Sequence, residues 1–385
     1  MNPAGWTWLE RADCRYQRLP AMDFLVKLGH TCQIGASDVA CPATNWDQNF
    51  HSLSQGFFMR IVATTLDDLC RKIMPPLLRG ADVTQSSRGL AYERRGVLLE
   101  LKNPRARLSR TETRGKPYSC IGELLWYLSR DNRLEFIQYY IDRYKDESED
   151  GETVHGGYGR RLFAHESHNQ VQSLIANLRA KPDTRRAVLQ IFEPSDTERR
   201  HREIPCTLAM QFTARRNKLD MIVTMRSQDA FIGLPHDVFC FTMLQEIIAR
   251  SVDIEVGEYK QFVGSLHLYD KDRGNAEQYL SEGVQQTIAM PPMPPGDPWP
   301  AIRQVLDAEA DIRAGRIVSR EVRKLNAYWR DLVRLLQIFA ASGDAAKIRR
   351  LKKSLNFAGY TGYADRRKHM RPRQPQQPRQ PRLPL

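Results

Sequence analysis

The sequence predicts an α/β (α+β) protein with a C-terminal helical appendage, and three observations predict it. Strand-like segments over 86–108, 187–192 and 255–270 lie among segments whose apolar residues recur at helical spacing, such as 59–78, 119–128 and 238–252. A proline-rich stretch from Pro291 to Pro300 reads as a boundary. The pattern from there to residue 356 is helical. The expected organisation is an extension over 1–58, a main domain over 59–295, the helical appendage over 296–363 and a basic Pro/Gln/Arg-rich tail over 364–385.

The chain has 385 residues, 41% hydrophobic and 27% charged, which is ordinary for a globular protein. No apolar run reaches the roughly 18 residues a membrane span needs. Trp6, Trp8 and Glu10 break the basic-then-apolar pattern of a secretory signal. The seven cysteines are odd in number and form no CxxC pair. That argues for a reducing, cytoplasmic setting and against a disulfide framework or a zinc site, so no metal and no membrane partner are expected. Part of the net charge of +13 lies in the tail after Asp365. Such a tail can touch nucleic acid, but reads first as a solvated end.

Taken in order, Met59 to Leu78 reads as one helix ended by Pro75-Pro76. Arg88-Gly89 opens a strand closed by Asn103-Pro104. An arginine in that small loop suits phosphate contact as well as it suits solvent. S-C-I-G-E-L-L-W-Y-L, residues 119–128, fits a buried helix carrying Glu123. Such a carboxylate either sits on a wet edge or is a site residue whose pKa desolvation raises. Residues 135–145 read as another helix, and H-G-G-Y-G-R-R-L-F, 155–163, displays Tyr158 between glycines on a flexible turn. After a helix over 168–179, Arg185 and Arg186 precede a strand. Neighbours on a strand point to opposite faces, so one anion held by both within one subunit would be odd. The apolar run after Asp237 reads as the central core helix. His267 and Tyr269, two apart on a strand, share a face and can meet a sugar hydroxyl.

The densest chemistry lies between Glu203 and Asp237. Cys206 follows a proline at a strand entrance, Arg226, Ser227 and Asp229 stand together, and a Gly-Leu-Pro turn presents His236 and Asp237. A cysteine becomes a nucleophile where nearby cations depress its pKa. Arg226 is placed to do that and to meet a phosphate with Ser227. Cys240, in the apolar helix, reads as core. In order, E-L-L-W, the Arg-Arg pair, P-C, R-S-x-D-x-x-x-G-L-P and H-x-Y resemble the thymidylate synthase family across residues 59–290. The resemblance is closest to its deoxycytidylate and cytidylate hydroxymethylase branch.

That resemblance implies a large mixed sheet covered by helices, and a homodimer in which Arg185 and Arg186 reach the partner's phosphate site. It implies 5,10-methylenetetrahydrofolate as co-substrate and a pyrimidine nucleoside monophosphate as acceptor. Cys206 would add to C6 of the base so that C5 can attack the one-carbon unit. Glu123 would organise water and assist activation of the donor or of the base. Tyr158, facing the cysteine, would assist removal of the C5 proton. Asp229 would hold the pterin, Arg88, Arg226 and Ser227 the phosphate, and His267 and Tyr269 the sugar.

The departures are informative. Thr207 stands where the family usually has histidine, Met225 where it has glutamine, and Arg143, Tyr144 and Lys145 where folate-stacking tryptophans are common. The family's closing C-terminus gives way to the helical appendage and the tail. Together these point to water, rather than hydride, capturing the transferred carbon. Asp237 replaces an asparagine that complements uracil. An aspartate accepts from the N4 amine of cytosine and shares a proton with N3, and a mispaired edge in a dry pocket is heavily penalised. The implied function is folate-dependent C5 hydroxymethylation of dCMP or CMP. The rivals are methyl transfer to dUMP or dCMP, and a non-catalytic nucleic-acid binder whose binding would depend steeply on salt.

Overall fold

Seven strands form one mixed sheet in the computed structural model, which describes residues 59–86, 88–164 and 168–376. The expected extension over 1–58 lies outside those residues. The strands are β1 (Met59–Ala63), β2 (Asp82–Ser86), β3 (Gly89–Leu101), β4 (Val188–Gln190), β5 (Thr207–Arg215), β6 (Lys218–Asp229) and β7 (Glu255–Tyr269). Their spatial order is β1-β3-β7-β6-β5-β4, with β2 paired to β3. β1 runs parallel to β3 and β6 parallel to β7; the other pairs are antiparallel.

The opening segment is a strand followed by a helix, not one helix. Met59–Ala63 pairs with Val97–Leu101, and helix α1 (Leu66–Leu78) starts only after Thr65, whose side chain caps Asp68 N–H at 3.0 Å. Pro75 and Pro76 lie inside α1 rather than ending it; the Arg79 N–H still closes on the Pro75 carbonyl at 3.0 Å. Further along come α2 (Pro117–Leu128), α3 (Leu134–Tyr140), α4 (Tyr144–Glu147), α5 (Tyr158–Phe163) and α6 (Gln170–Ala180). The helix expected over 135–145 is therefore broken at Ile141. Its first part packs closely on α2, where a Cβ on Gly122 would come within 2.1 Å of the Tyr140 ring.

The central helix is α7 (Gly233–Ser251), buried along most of its length, and α8 (Arg273–Ser281) follows β7. Burying α7 also buries Glu246. That carboxylate accepts from Arg107 at 2.5 Å, from Arg105 at 2.7 Å and from the Met293 N–H at 3.0 Å. Neither Glu246 nor the Arg107 side chain has any solvent exposure. Removing one member of such a set strands the other charge, so Glu246→Ala should destabilise the fold by about 3–5 kcal/mol. Urea unfolding followed by circular dichroism measures that loss.

The helical stretch comprises α9 (Trp299–Arg313), α10 (Ala327–Ala340), α11 (Ala345–Lys353) and α12 (Thr361–Arg366). It shares the main apolar core. Phe339 of α10 meets the rings of Tyr118, Tyr139 and Tyr140 at 5.9, 5.6 and 5.2 Å. Glu309 of α9, fully buried, accepts from the Tyr140 hydroxyl at 2.8 Å and from Arg313 at 2.9 Å. The tail is not a free solvated end over its described part. Arg367 and Arg373 stack on Phe339 at 4.6 and 4.5 Å, and Gln376 N–H reaches the Arg313 carbonyl at 2.8 Å. Cation–aromatic contact offers these arginines a partner that water does not. Among the described residues no helix is long and apolar enough to cross a membrane.

Candidate active site

Strand register assembles the site. Arg216 and Asn217, with φ of 51° and 58°, make the two-residue turn between β5 and β6. The hairpin then pairs Thr207 with Met225, which sets Cys206 beside Arg226. The parallel β6–β7 pair aligns Ser227 with Ser265 and Asp229 with His267. β3 pairs Ala91 with Tyr269 on the other side. These strand ends, with α2, α4, α5 and the first turn of α7, enclose a cavity of 660 Å³.

Cys206 and Arg226 line one wall of that cavity. The guanidinium is fixed by the carbonyls of Pro205 at 2.9 Å and Ile204 at 3.1 Å, and lies 3.8 Å from the Cys206 sulfur. The thiol is nonetheless not depressed, contrary to the sequence expectation. Burial pushes it up to about 11; Arg226 opposes this, while Asp237 and Glu203 reinforce it. Arg226, shared with two carbonyls, and Arg88 together do not offset desolvation and two carboxyl groups.

Glu123 is buried on α2, not on a wet edge. Its Oε1 accepts from the hydroxyls of Tyr144 at 2.8 Å and Tyr127 at 3.2 Å, and its Oε2 lies 2.8 Å from His236 Nδ1. Burial alone would raise its pKa. The His236 hydrogen bond and charge, with the two tyrosines, outweigh that and hold the carboxyl below its usual value. The sequence expectation of a raised value is thus reversed. Burial disfavours a charged His236, but Cys120 and Glu123 around it leave it raised, to about 10.

Asp237 lines the same cavity and sits at the end of a hydrogen-bond relay. Tyr259 donates to Gln261 Oε1 at 2.7 Å, Gln261 donates to Gln228 Oε1 at 2.6 Å, and Gln228 donates to Asp237 Oδ2 at 2.8 Å. Burial pushes Asp237 up to about 7, with the Glu123 charge adding and Gln228 opposing. Glu203, whose carboxylate takes the Gly156 N–H at 3.0 Å, is likewise pushed up to about 7 by burial. A Cβ on Gly156 would lie 2.2 Å from that carboxylate.

These two acids give a signed pH effect. Each binds its proton more tightly folded than unfolded, so its stabilising contribution is full below about pH 4 and is lost as pH rises through about 7. The ligand-free chain should melt about 2–5 °C higher at pH 5 than at pH 8 on their account. The double variant Asp237→Asn/Glu203→Gln should lose that slope in differential scanning calorimetry.

Tyr158 is not displayed on a flexible turn. It is buried at the start of α5, stacked on Tyr127 at 5.1 Å. Its hydroxyl donates to Thr207 Oγ1 at 3.0 Å and accepts the Thr207 N–H at 3.2 Å. Asp229 Oδ1 accepts from the N–H groups of Phe231 and Ile232, at 2.9 and 3.0 Å, and so caps the turn into α7; its other oxygen takes no part in that turn. His267 and Tyr269 meet edge to face at 4.8 Å, with Ser227 Oγ 3.5 Å from His267 Nδ1. Burial lowers His267, keeping it neutral. Arg88 lines the cavity but is held by both oxygens of Glu147 at 2.6 Å.

Arg185 and Arg186 are exposed and do not line this cavity of their own chain. Sequence reasoning missed His236, Tyr144, Gln228, Glu147 and Glu203. His236 carried a signal, a polar residue where the resembled pattern is apolar. Tyr127 also did, four residues past Glu123 and so on its helix face. Glu203 carried none, because its partner Gly156 is 47 residues away in sequence.

Comparisons with known proteins bear on the family of the chain. The profile described as thymidylate synthase matches residues 98–293. The chain is 36% identical over 163 residues to a deoxyuridylate hydroxymethyltransferase of Pseudomonas phage M6, covering 42% of this chain and 46% of that protein. It is 31% identical over 236 residues to the deoxyuridylate hydroxymethyltransferase of Bacillus phage SP01, covering 57% and 60%. It is 29% identical over 169 residues to a thymidylate synthase of Coxiella burnetii (strain Dugway 5J108-111), covering 42% and 64%. The chain thus spans less than two thirds of the length of these relatives. A crystal structure of thymidylate synthase from T4 phage aligns with a TM-score of 0.48 and 19% identity, over 56% of this chain and 81% of that one. With the profile matching half of its length, the chain belongs to the thymidylate synthase family.

Proposed function

We propose that the protein transfers a one-carbon unit from 5,10-methylenetetrahydrofolate to C5 of a pyrimidine nucleoside monophosphate, giving a 5-hydroxymethyl product on dCMP or CMP. The observation that carries this reading is the meeting of Cys206, Arg226, Glu123 and Asp237 in one cavity. Adding a thiol to C6 gives C5 the electron density to attack an electrophilic carbon, which the folate supplies. Arg226 stabilises the thiolate as it forms, and with Ser227 and Arg88 meets the phosphate. Arg88 is then shared between Glu147 and the phosphate. In a homodimer, Arg185 and Arg186 serve the partner's phosphate site. His267 and Tyr269 take the sugar hydroxyl.

The chain's own residues offer the folate a berth. Ile141, Arg143 and Tyr144 line one side of the cavity, and the Asp229 oxygen left outside the turn suits the N–H groups of a pterin. Tyr158, bonded to Thr207, assists removal of the C5 proton.

A second reading, uracil as the base, is favoured by two observations. An Asp237 near neutrality can also donate to O4 and accept from N3–H. Two of the relatives above are named for deoxyuridylate. Incubating the full chain with methylenetetrahydrofolate and each of CMP, dCMP, UMP and dUMP, following C5 tritium release and product mass, tests both. A hydroxymethylated cytosine product supports the first reading and a uracil product the second. No release from any of the four, with tight and salt-sensitive DNA binding, would replace both with a nucleic-acid binder.

A further inference from the structure

Glu123 and His236 form a close pair in the cavity wall. The two Glu123 oxygens face three donors, the hydroxyls of Tyr127 and Tyr144 and the imidazole of His236. The other imidazole nitrogen, Nε2, lies 3.1 Å from Ser119 Oγ. Ser119 has one proton, and it is given to the Lys116 carbonyl at 3.2 Å. In that arrangement the Ser119 oxygen is open to accept from Nε2, which suits an imidazole with hydrogen on both nitrogens. The 2.8 Å contact suits an imidazolium–carboxylate pair, shielded from solvent at the cavity wall.

We infer that His236 is a positioning residue that keeps Glu123 ionised, so that Glu123 can take a proton from the water that captures the one-carbon unit on C5. This rests on the one-carbon transfer proposed above. Once the transferred carbon is an exocyclic methylene on C5, with sulfur still bonded to C6, the water oxygen adds to that methylene. Its proton passes to Glu123, and the double-bond electron pair moves through C5 onto the C4 substituent. That pair then returns to form C5=C6, the C6–sulfur bond breaks, and the sulfur leaves as thiolate. Glu123 then returns its proton to Cys206 or to solvent. A neutral Glu123 could not accept the first proton.

The other groups that face the pair do not replace His236. From α2 come Cys120 and Tyr127, from α4 Tyr144, and from α7 Asp237 and Cys240. Tyr158 and Asp229 face Asp237. None of these is a cation, and Asp237 opposes a charged Glu123 by like-charge repulsion. The cationic side chains of Lys116 and Arg114 face Cys120 and Asp272.

Two measurements test this, and only one needs turnover. In the ligand-free full chain, ¹⁵N NMR of the His236 ring, assigned with His236→Gln, should show both nitrogens protonated from pH 6 to pH 8. A single neutral tautomer at pH 7 overturns the inference. In the turnover assay, His236→Phe should move the acid limb of hydroxymethyl formation up by about one pH unit. At pH values below the limb its rate would then fall about tenfold relative to the wild type, and above the limb it would recover. His236→Gln, which keeps a donor toward Glu123 without the charge, should fall between. Identical acid limbs in the wild type and both variants overturn the inference. If the wild type turns over no nucleotide, the proposed function fails, while the NMR result still decides the state of His236.

Discussion

Cys206→Ser is expected to abolish turnover, lowering it by about a thousandfold or more, with the fold intact. Serine is nearly isosteric, but its hydroxyl is far less acidic than a thiol and a poor nucleophile without a strong base. The structure makes the dependence on sulfur severe. The guanidinium in contact with the Cys206 sulfur, that of Arg226, is shared with the carbonyls of Ile204 and Pro205. What it can stabilise is a polarisable thiolate, not an alkoxide. C5 tritium release measures turnover, and the mass of a nucleotide–protein adduct measures the covalent step. Near-ultraviolet circular dichroism checks the fold. Retained release in the serine variant would remove covalent catalysis from the proposal.

Asp237→Asn is expected to shift base preference toward uracil by about 10- to 100-fold, the equivalent of the 1–3 kcal/mol lost when a buried polar group is left unpaired. The relay from Tyr259 explains why the substitution acts in one direction. Tyr259 donates to Gln261, Gln261 to Gln228 and Gln228 to residue 237, and in this arrangement an N–H points at Oδ2 of residue 237. An asparagine there cannot flip. It must give its oxygen to Gln228 and present its amino group to the base, which suits O4 of uracil and repels the N4 amine of cytosine. The native carboxyl presents an oxygen that accepts once ionised and donates while protonated. Because burial sets it near 7, the wild-type ratio of cytosine to uracil turnover should rise between pH 6 and pH 8. Ratios of kcat/KM for the four nucleotides at both pH values check this, and equal ratios in the wild type and variant would remove Asp237 as the base reader.

Much of the site was legible because its residues fall in short motifs. Cys206, Arg226, Ser227, Asp229 and Asp237 lie within one stretch, and the β5–β6 hairpin is a local event with its own turn chemistry. The elements that were misread are those whose conformation is decided at a distance. Met59–Ala63 has helical spacing but becomes a strand because β3 offers it a parallel edge. Tyr158 stands between glycines, yet packing on Tyr127 and Thr207 buries it. The charge states were the least legible. An arginine near a cysteine in sequence suggested a low pKa, whereas desolvation and two distant carboxyl groups decide the sign. Glu123 was misread in the opposite direction, because its three hydrogen-bond donors come from three separate elements.

The aromatic wedge formed by Phe339 has a practical consequence for anyone trimming this chain to the stretch its relatives share. Tyr118 and Tyr140 belong to that stretch, but their rings are covered from the C-terminal side. A fragment stopped at Pro298 would bare those rings and leave the Tyr140 hydroxyl without Glu309. Such a sticky patch invites self-association before any assay begins. Its outer layer thus serves as scaffolding for the helix that holds Glu123, and inactivity of a minimal fragment would reflect lost support instead of absent chemistry.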